Sequence, residues 1–119
     1  MEAAQAARLF GWNAIWRMTG SRSAGRALVT ALGSRDEDLR SLAGIFLTRG
    51  GRRAEPLLRE ALDRRQDLPM VLSVLGSIGD PSYEPIFRSF SQDPDPAVAD
   101  AAGEGLHLLA VRDDPALRM

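Results

Sequence analysis

The densest chemistry in this chain lies in QDPDPAVADAAGEGLHLLA, residues 92–110. Five groups there can titrate: Asp93, Asp95, Asp100, Glu104 and His107. Carboxylates beside an imidazole can hold a metal or share acid–base work if they converge in a cleft that shifts their pKa values. The spacing argues for a simpler role. Asp93 and Asp95 are each followed by proline and fall in a turn, where a carboxylate caps the next helix by accepting an orphan backbone N–H. Asp100 and Glu104 stand four residues apart on one helical face, with His107 about one turn further. A single helix face rarely encloses a site. The chain has one His and no Cys, a poor ligand set for zinc. No nucleophile–base pair is visible in the sequence. The chain therefore reads as a non-enzyme, with no catalytic residue, no metal and no cofactor expected.

Helices must carry these residues, and the helices repeat. Three segments align: RALVTALGSRDEDLRSLAGIFLTRGG from Arg26, PLLREALDRRQDLPMVLSVLGSIGD from Pro56, and PIFRSFSQDPDPAVADAAGEGLHLLA from Pro85. Their starts lie 30 and 29 residues apart. Each opens on a short apolar run: Leu28 and Leu32, then Leu58 and Leu62, then Phe87 and Phe90. An Asp-containing turn follows, then a longer run. In the longer runs Leu42, Ala43, Phe46 and Leu47 match Met70, Val71, Val74 and Leu75, which match Ala101, Ala102, Gly105 and Leu106. Recurrence at i, i+1, i+4 and i+5 is one stripe of an α-helix. Asp36, Asp67 and Asp95 are expected N-caps, and Pro96 suits the first helical turn. Gly50–Gly51 and Gly79–Asp80 stop the first two long helices. Each unit is thus a helical hairpin of about 30 residues that buries its apolar faces only against neighbours.

The endings carry a resemblance. Leu75-Gly76-Ser77-Ile78-Gly79-Asp80 and Asp93-Pro94-Asp95-Pro96-Ala97-Val98 resemble the helix end and the turn of HEAT-like repeats of the short bacterial type, the kind grouped with bilin (phycobilisome) lyases. The resemblance covers about residues 24–111. It implies an all-α fold: a short α-solenoid of three HEAT-like helical hairpins, at 24–51, 54–80 and 82–111. An aromatic-rich N-terminal helix over 1–20 precedes them, and a tail, 112–119, is too short for another hairpin. It also implies a scaffold or binding platform, more rarely an enzyme or a chaperone for other proteins. The family often places an Arg after the Val of the second helix. Here only the first repeat has one, Arg40 after Leu39, while the third has Ala99 and the second a shortened turn, DRRQDLP. An inter-repeat Asp–Arg ladder is therefore not expected.

At 119 residues the chain is expected to form one domain. All fifteen basic residues are arginine. Residues 1–65 hold twelve Arg against seven acids, a balance of +5, and residues 66–119 hold three against nine, a balance of −6, which together give the net −1. A basic end and an acidic end can favour head-to-tail contact, or can simply face water. The arginines of TRGGRRAEP and DRRQ form no continuous track and the chain is slightly acidic, which argues against nucleic acid. No stretch approaches the roughly 20 apolar residues of a membrane span. The N-terminus begins with Glu2 and lacks the basic-then-apolar order of a signal peptide, so no membrane association and a cytoplasmic location are expected.

In the N-terminal helix, Leu9, Trp12 and Trp16 line one side and Phe10, Ala14 and Met18 nearly the opposite side. A helix apolar on most sides is usually buried on most sides. Either both faces are covered internally, or one meets a partner or a second copy. In the implied solenoid the second helices line a groove. Arg40, Ile45, Leu72, Glu104 and His107 are its expected partner-binding residues, and Trp12 and Trp16 the expected interface anchors. Gly44 and Gly103 occupy matching positions, either for close repeat packing or for close approach of another backbone. The expected function is a non-enzymatic protein–protein interaction module or scaffold that binds a partner peptide or helix. The alternatives are a homodimeric structural subunit assembled through the N-terminal helix and, third, an accessory or chaperone subunit of a lyase-type enzyme.

Overall fold

Apolar stripes at helical spacing, punctuated by proline and glycine, dictate a run of short helices. The computed structural model describes residues 3–113 and is all-helical there, with no strand among the described residues. The helices are α1 (Ala3–Thr19), α2 (Arg22–Ala31), α3 (Glu37–Gly50), α4 (Glu55–Asp63), α5 (Leu68–Ile78), α6 (Glu84–Phe90) and α7 (Pro96–Asp113). Single 3-10 turns, Gly51–Arg53 and Pro81–Tyr83, lead into α4 and α6. The tail beyond residue 113 lies outside the described residues. No helix among the described residues is long and apolar enough to cross a membrane.

Local chemistry explains most boundaries. Asp36 accepts from the Asp38 and Leu39 backbone N–H groups at 2.9 and 3.4 Å and caps α3. Asp95 accepts from the Ala97 N–H at 2.9 Å, and Pro96 is the first residue of α7. Gly51 (φ 57°) and Gly79 (φ 71°) end α3 and α5 in a backbone region that residues with a Cβ rarely adopt. Asp67 departs from the expected pattern. It precedes α5 at φ 47°, ψ 45°, and its carboxylate caps no N–H there. The short turn forces Arg65 as well as Asp67 to positive φ. The Asp67 side chain lies instead over the first hairpin's turn, where a Cβ on Gly33 would stand 2.5 Å from its Oδ2.

The stripes read from the sequence turn toward the core, with Leu42, Met70, Ala101 and Leu106 half-buried at its edge. Ala43, Phe46 and Leu47 of α3 are buried, as are Val71, Val74 and Leu75 of α5 and Ala102 of α7. Leu28, Leu32, Leu58 and Phe87 from the shorter helices meet them. Each of the buried Val, Leu and Phe side chains contributes roughly 1.5–3 kcal/mol on burial, and the alanines less. No charged residue is buried as a whole among the described residues, and the well-covered carboxylate of Asp93 is ion-paired. The longer helices pack in chain order, α3 on α5 and α5 on α7, while α2 packs on α4 and α1 covers α2 and α3.

Two glycine contacts set how close the helices come. A Cβ on Gly76 would stand 3.5 Å from the Gly105 Cα, and one on Gly105 would enter the Phe87 ring at 2.5–2.7 Å. The α5–α7 contact therefore needs residues without side chains at its centre. The second contact holds Trp16. A Cβ on Gly25 would lie 3.1 Å from its indole Cδ1 and Nε1, and one on Gly50 would collide with its six-membered ring.

Arginine joins one hairpin to the next, contrary to expectation. Arg26 pairs with Glu60 at 3.2 Å, Arg52 with Asp80 at 3.0 Å and Arg65 with Asp93 at 2.7 Å. The last two pairs each bridge 28 residues. These contacts use Arg26 of α2, the linker Arg52 and the turn Arg65 instead of the position after Leu39. Arg40 donates to the Ser34 carbonyl at 2.7 Å, within its own hairpin. Arg112 reaches back to the Ser77 and Ile78 carbonyls, both at 3.1 Å, and so serves the C-terminal end of α5, where a cation is favoured.

Candidate interaction grooves

The outward faces of α3, α5 and α7 form two shallow grooves side by side. The first, about 440 Å³, runs between α3 and α5. Arg40, Gly44, Ile45 and Thr48 of α3 face Met70, Ser73 and Ser77 of α5 across it. Its floor is apolar where Gly44 lets Val74 Cγ2 and Leu32 Cδ2 approach to ordinary contact distance, 3.9 and 4.0 Å from a built Cβ. The second, about 390 Å³, lies between α5 and α7 and is lined by the same Met70, Ser73 and Ser77 together with Ala101, Glu104 and Leu108. The α5 face is therefore a ridge shared by both grooves. Two guanidinium groups, Arg40 and Arg49, mark the α3 lip and the Glu104 carboxylate the α7 lip. Such a surface suits an amphipathic segment: apolar contact along the floor, hydroxyl groups on the ridge, and a charge of opposite sign at each edge.

The expected residues divide accordingly. Arg40 and Ile45 share the first groove, with Ile45 47% exposed. Glu104 lies at the second groove. His107 is exposed on α7, less than one turn beyond Glu104. Leu72 requires correction as a surface contact. It is 0% exposed, because α5 is the middle helix and is covered on both sides, so it forms the base of the second groove without presenting area to a partner. Trp16 is corrected as an interface anchor for a similar reason: it is 3% exposed, held between α2 and α3 by Gly25 and Gly50. Trp12 remains 38% exposed, in a separate depression of about 510 Å³ where α1 crosses α2. The α5 residues Met70, Ser73 and Ser77 were not anticipated as a ridge. Their spacing of three and four residues marks one helical face, but the apolar Met70 reads equally well as core.

The carboxylates of the DPDP turn are occupied structurally. Asp93 accepts from the Asp95 N–H at 3.0 Å and pairs with Arg65. The Arg65 guanidinium, followed by that N–H, holds the Asp93 carboxyl below its usual range. The Ser82 backbone N–H and hydroxyl, with Arg52 beside them, do the same for Asp80. Burial, and then the charges of Glu55 and Asp80, push the Tyr83 phenol up. Among the described residues no three of His, Asp and Glu come together as a metal would require.

No family model, curated protein or solved structure matches this chain. The functional reading rests on the surface itself. Besides the grooves, its most unusual feature is α1, whose outer side leaves Phe10, Ile15 and Met18 exposed at 54, 45 and 84%. Phe10 packs edge-on against Phe46, with ring centroids 5.1 Å apart, which ties this patch to α3.

Proposed function

We propose that this chain is a protein-interaction module, a short solenoid of HEAT-like hairpins that receives a helix or peptide of a partner protein in the α3–α5 groove. The observation that carries the reading is Ile45. It is a large apolar side chain left 47% exposed at the lip of a groove with an apolar floor, beside the Arg40 cation. The solenoid reading is supported by three consecutive helical pairs whose longer helices pack in chain order. An amphipathic segment with an acidic residue near its apolar anchors fits the groove.

Selection of a displayed library of helical peptides against the purified chain tests this. Enriched binders carry two apolar anchors at helical spacing and an acid on one flank. Ile45→Asp abolishes their binding, and Arg40→Glu weakens binders with an acidic flank, while far-ultraviolet circular dichroism stays unchanged. Binding that survives Ile45→Asp overturns the proposal.

A second reading, self-assembly through the N-terminal helix, is favoured by the exposed Phe10, Ile15 and Met18 on α1.

A further inference from the structure

The outer face of α1 and the outer flank of α7 are the two ends of the helical stack. On α1 the exposed Met18 and Ile15 sit among the smaller Ala4, Ala7, Gly11 and Ala14, all exposed. On α7, Gly105 and Ala102 face the core, while Ala99, Gly103 and Ala110 stand at steps of four and seven residues on a flank whose inner edge is Leu106, half-buried and packed against the core. Gly103 and Ala110 are exposed there, and Ala99 and Leu106 partly so. A Cβ at Gly11 or at Gly103 would meet nothing within 4 Å.

Charge indicates what covers these faces. The only charged residues of α1 are Arg8 and Arg17, both positive. Between residues 82 and 111 stand five acids, Glu84, Asp93, Asp95, Asp100 and Glu104, against Arg88 alone, a balance of −4. Glu84 pairs with Arg88, Asp93 with Arg65, and Glu104 faces the α5–α7 groove, so Asp95 and Asp100 are the acids this end presents. Two α1 faces brought together would oppose like charges, whereas α1 against the third hairpin opposes unlike ones. The shapes agree with this pairing. Inside the molecule α5 already meets α7 through Gly76 and Gly105, and the distance between packed helices depends on the side chains at their contact.

We infer that the α1 face of one copy docks on the α7 flank of a second copy, so that copies add end to end. This rests on the self-assembly reading above and replaces its symmetric pairing with a heterologous one. A contact of this kind leaves one free α1 and one free α7 at the ends of every open assembly, so growth continues unless the rotation closes a ring. Arg8 and Arg17 on one side, and Asp95 and Asp100 on the other, set the polarity.

Two end-blocked variants of the full chain decide it by sedimentation velocity and light scattering, at about 100 µM and low ionic strength, where exposed charges are least screened. One carries Ile15→Glu and Met18→Glu; the other carries Gly103→Arg and Ala110→Arg. All four positions are exposed, and circular dichroism confirms that each variant keeps its helices. The natural chain should show masses rising past twice 12.9 kDa with concentration and falling as salt is added. Each variant alone should be a monomer, and a mixture of the two should give a one-to-one dimer and nothing larger. If the α7 variant alone dimerises while the α1 variant does not, the contact is symmetric through α1 and the end-to-end inference is overturned while self-assembly stands. If the natural chain stays a monomer, both fall.

Discussion

The Gly105 Cα lies 3.5 Å from where a Cβ on Gly76 would stand, so α5 and α7 meet nearly backbone to backbone. Phe87 closes the same junction from α6. Gly105→Ala must therefore displace an aromatic ring that is fully buried. Overpacking of this kind typically costs about 1–3 kcal/mol. Gly103→Ala, two residues away on the open flank, should instead stabilise by up to about 1 kcal/mol, because alanine is the better helix former. Urea unfolding at low protein concentration compares them. Equal effects would mean that the helices do not meet as described.

The two tryptophans of α1 should behave very differently. Trp16→Ala removes a 3% exposed indole seated between Gly25 and Gly50, and a loss of about 3–5 kcal/mol is expected, enough to unfold a marginal chain. Trp12→Ala, at a 38% exposed position, should leave a cooperative thermal transition close to that of the natural chain. The reverse order in melting temperature would contradict the placement of α1.

The Arg65–Asp93 pair gives a pH signature. The folded Asp93 carboxyl titrates below its unfolded value, so its contribution is complete above that value, about 3.9, and disappears as the pH falls through the folded pKa. Asp93→Asn keeps an acceptor for the Asp95 N–H but loses the charge. Its melting temperature should fall below that of the natural chain at pH 6, and the gap should begin to narrow as the pH falls below about 4. A gap that does not narrow as the pH is lowered from about 6 towards acid unfolding would exclude this linkage.

Tyr83 is 0% exposed, and its hydroxyl has no hydrogen-bond partner among the described residues. Burying such a group unpaired costs about 1–3 kcal/mol. Tyr83→Phe keeps the ring and removes the hydroxyl, so the chain should be as stable as before or more so. Chemical denaturation reads this directly, and a clear loss of stability would reveal an acceptor for the phenol.

Much of the helical order is legible in the sequence itself. The i, i+1, i+4, i+5 stripes name the core-facing sides of α3, α5 and α7, with Leu42, Met70, Ala101 and Leu106 at their half-buried edges, because the periodicity of a helix alone decides which side chains share a side. Asp36, Asp95, Pro96, Gly51 and Gly79 mark boundaries through local backbone chemistry, which needs no neighbour. The same local logic failed at Asp67, where the length of the turn overrode the capping preference of aspartate.

Whatever depends on which helix lies beside which was decided only in three dimensions. A helical stripe cannot tell that Leu72 belongs to the middle helix, and so is covered on both sides, while Ile45 at an edge is not. Nor can it separate Trp16 from Trp12, four residues apart on one face, since the glycines that admit Trp16 come from α2 and α3. The ladder of Arg52 to Asp80 and Arg65 to Asp93 joins residues 28 positions apart, and only the packing of successive hairpins brings them together. Periodicity acts within a helix and local hydrogen bonding within a turn. Burial and ion pairing are sums over neighbours, and the neighbours exist only in the folded chain.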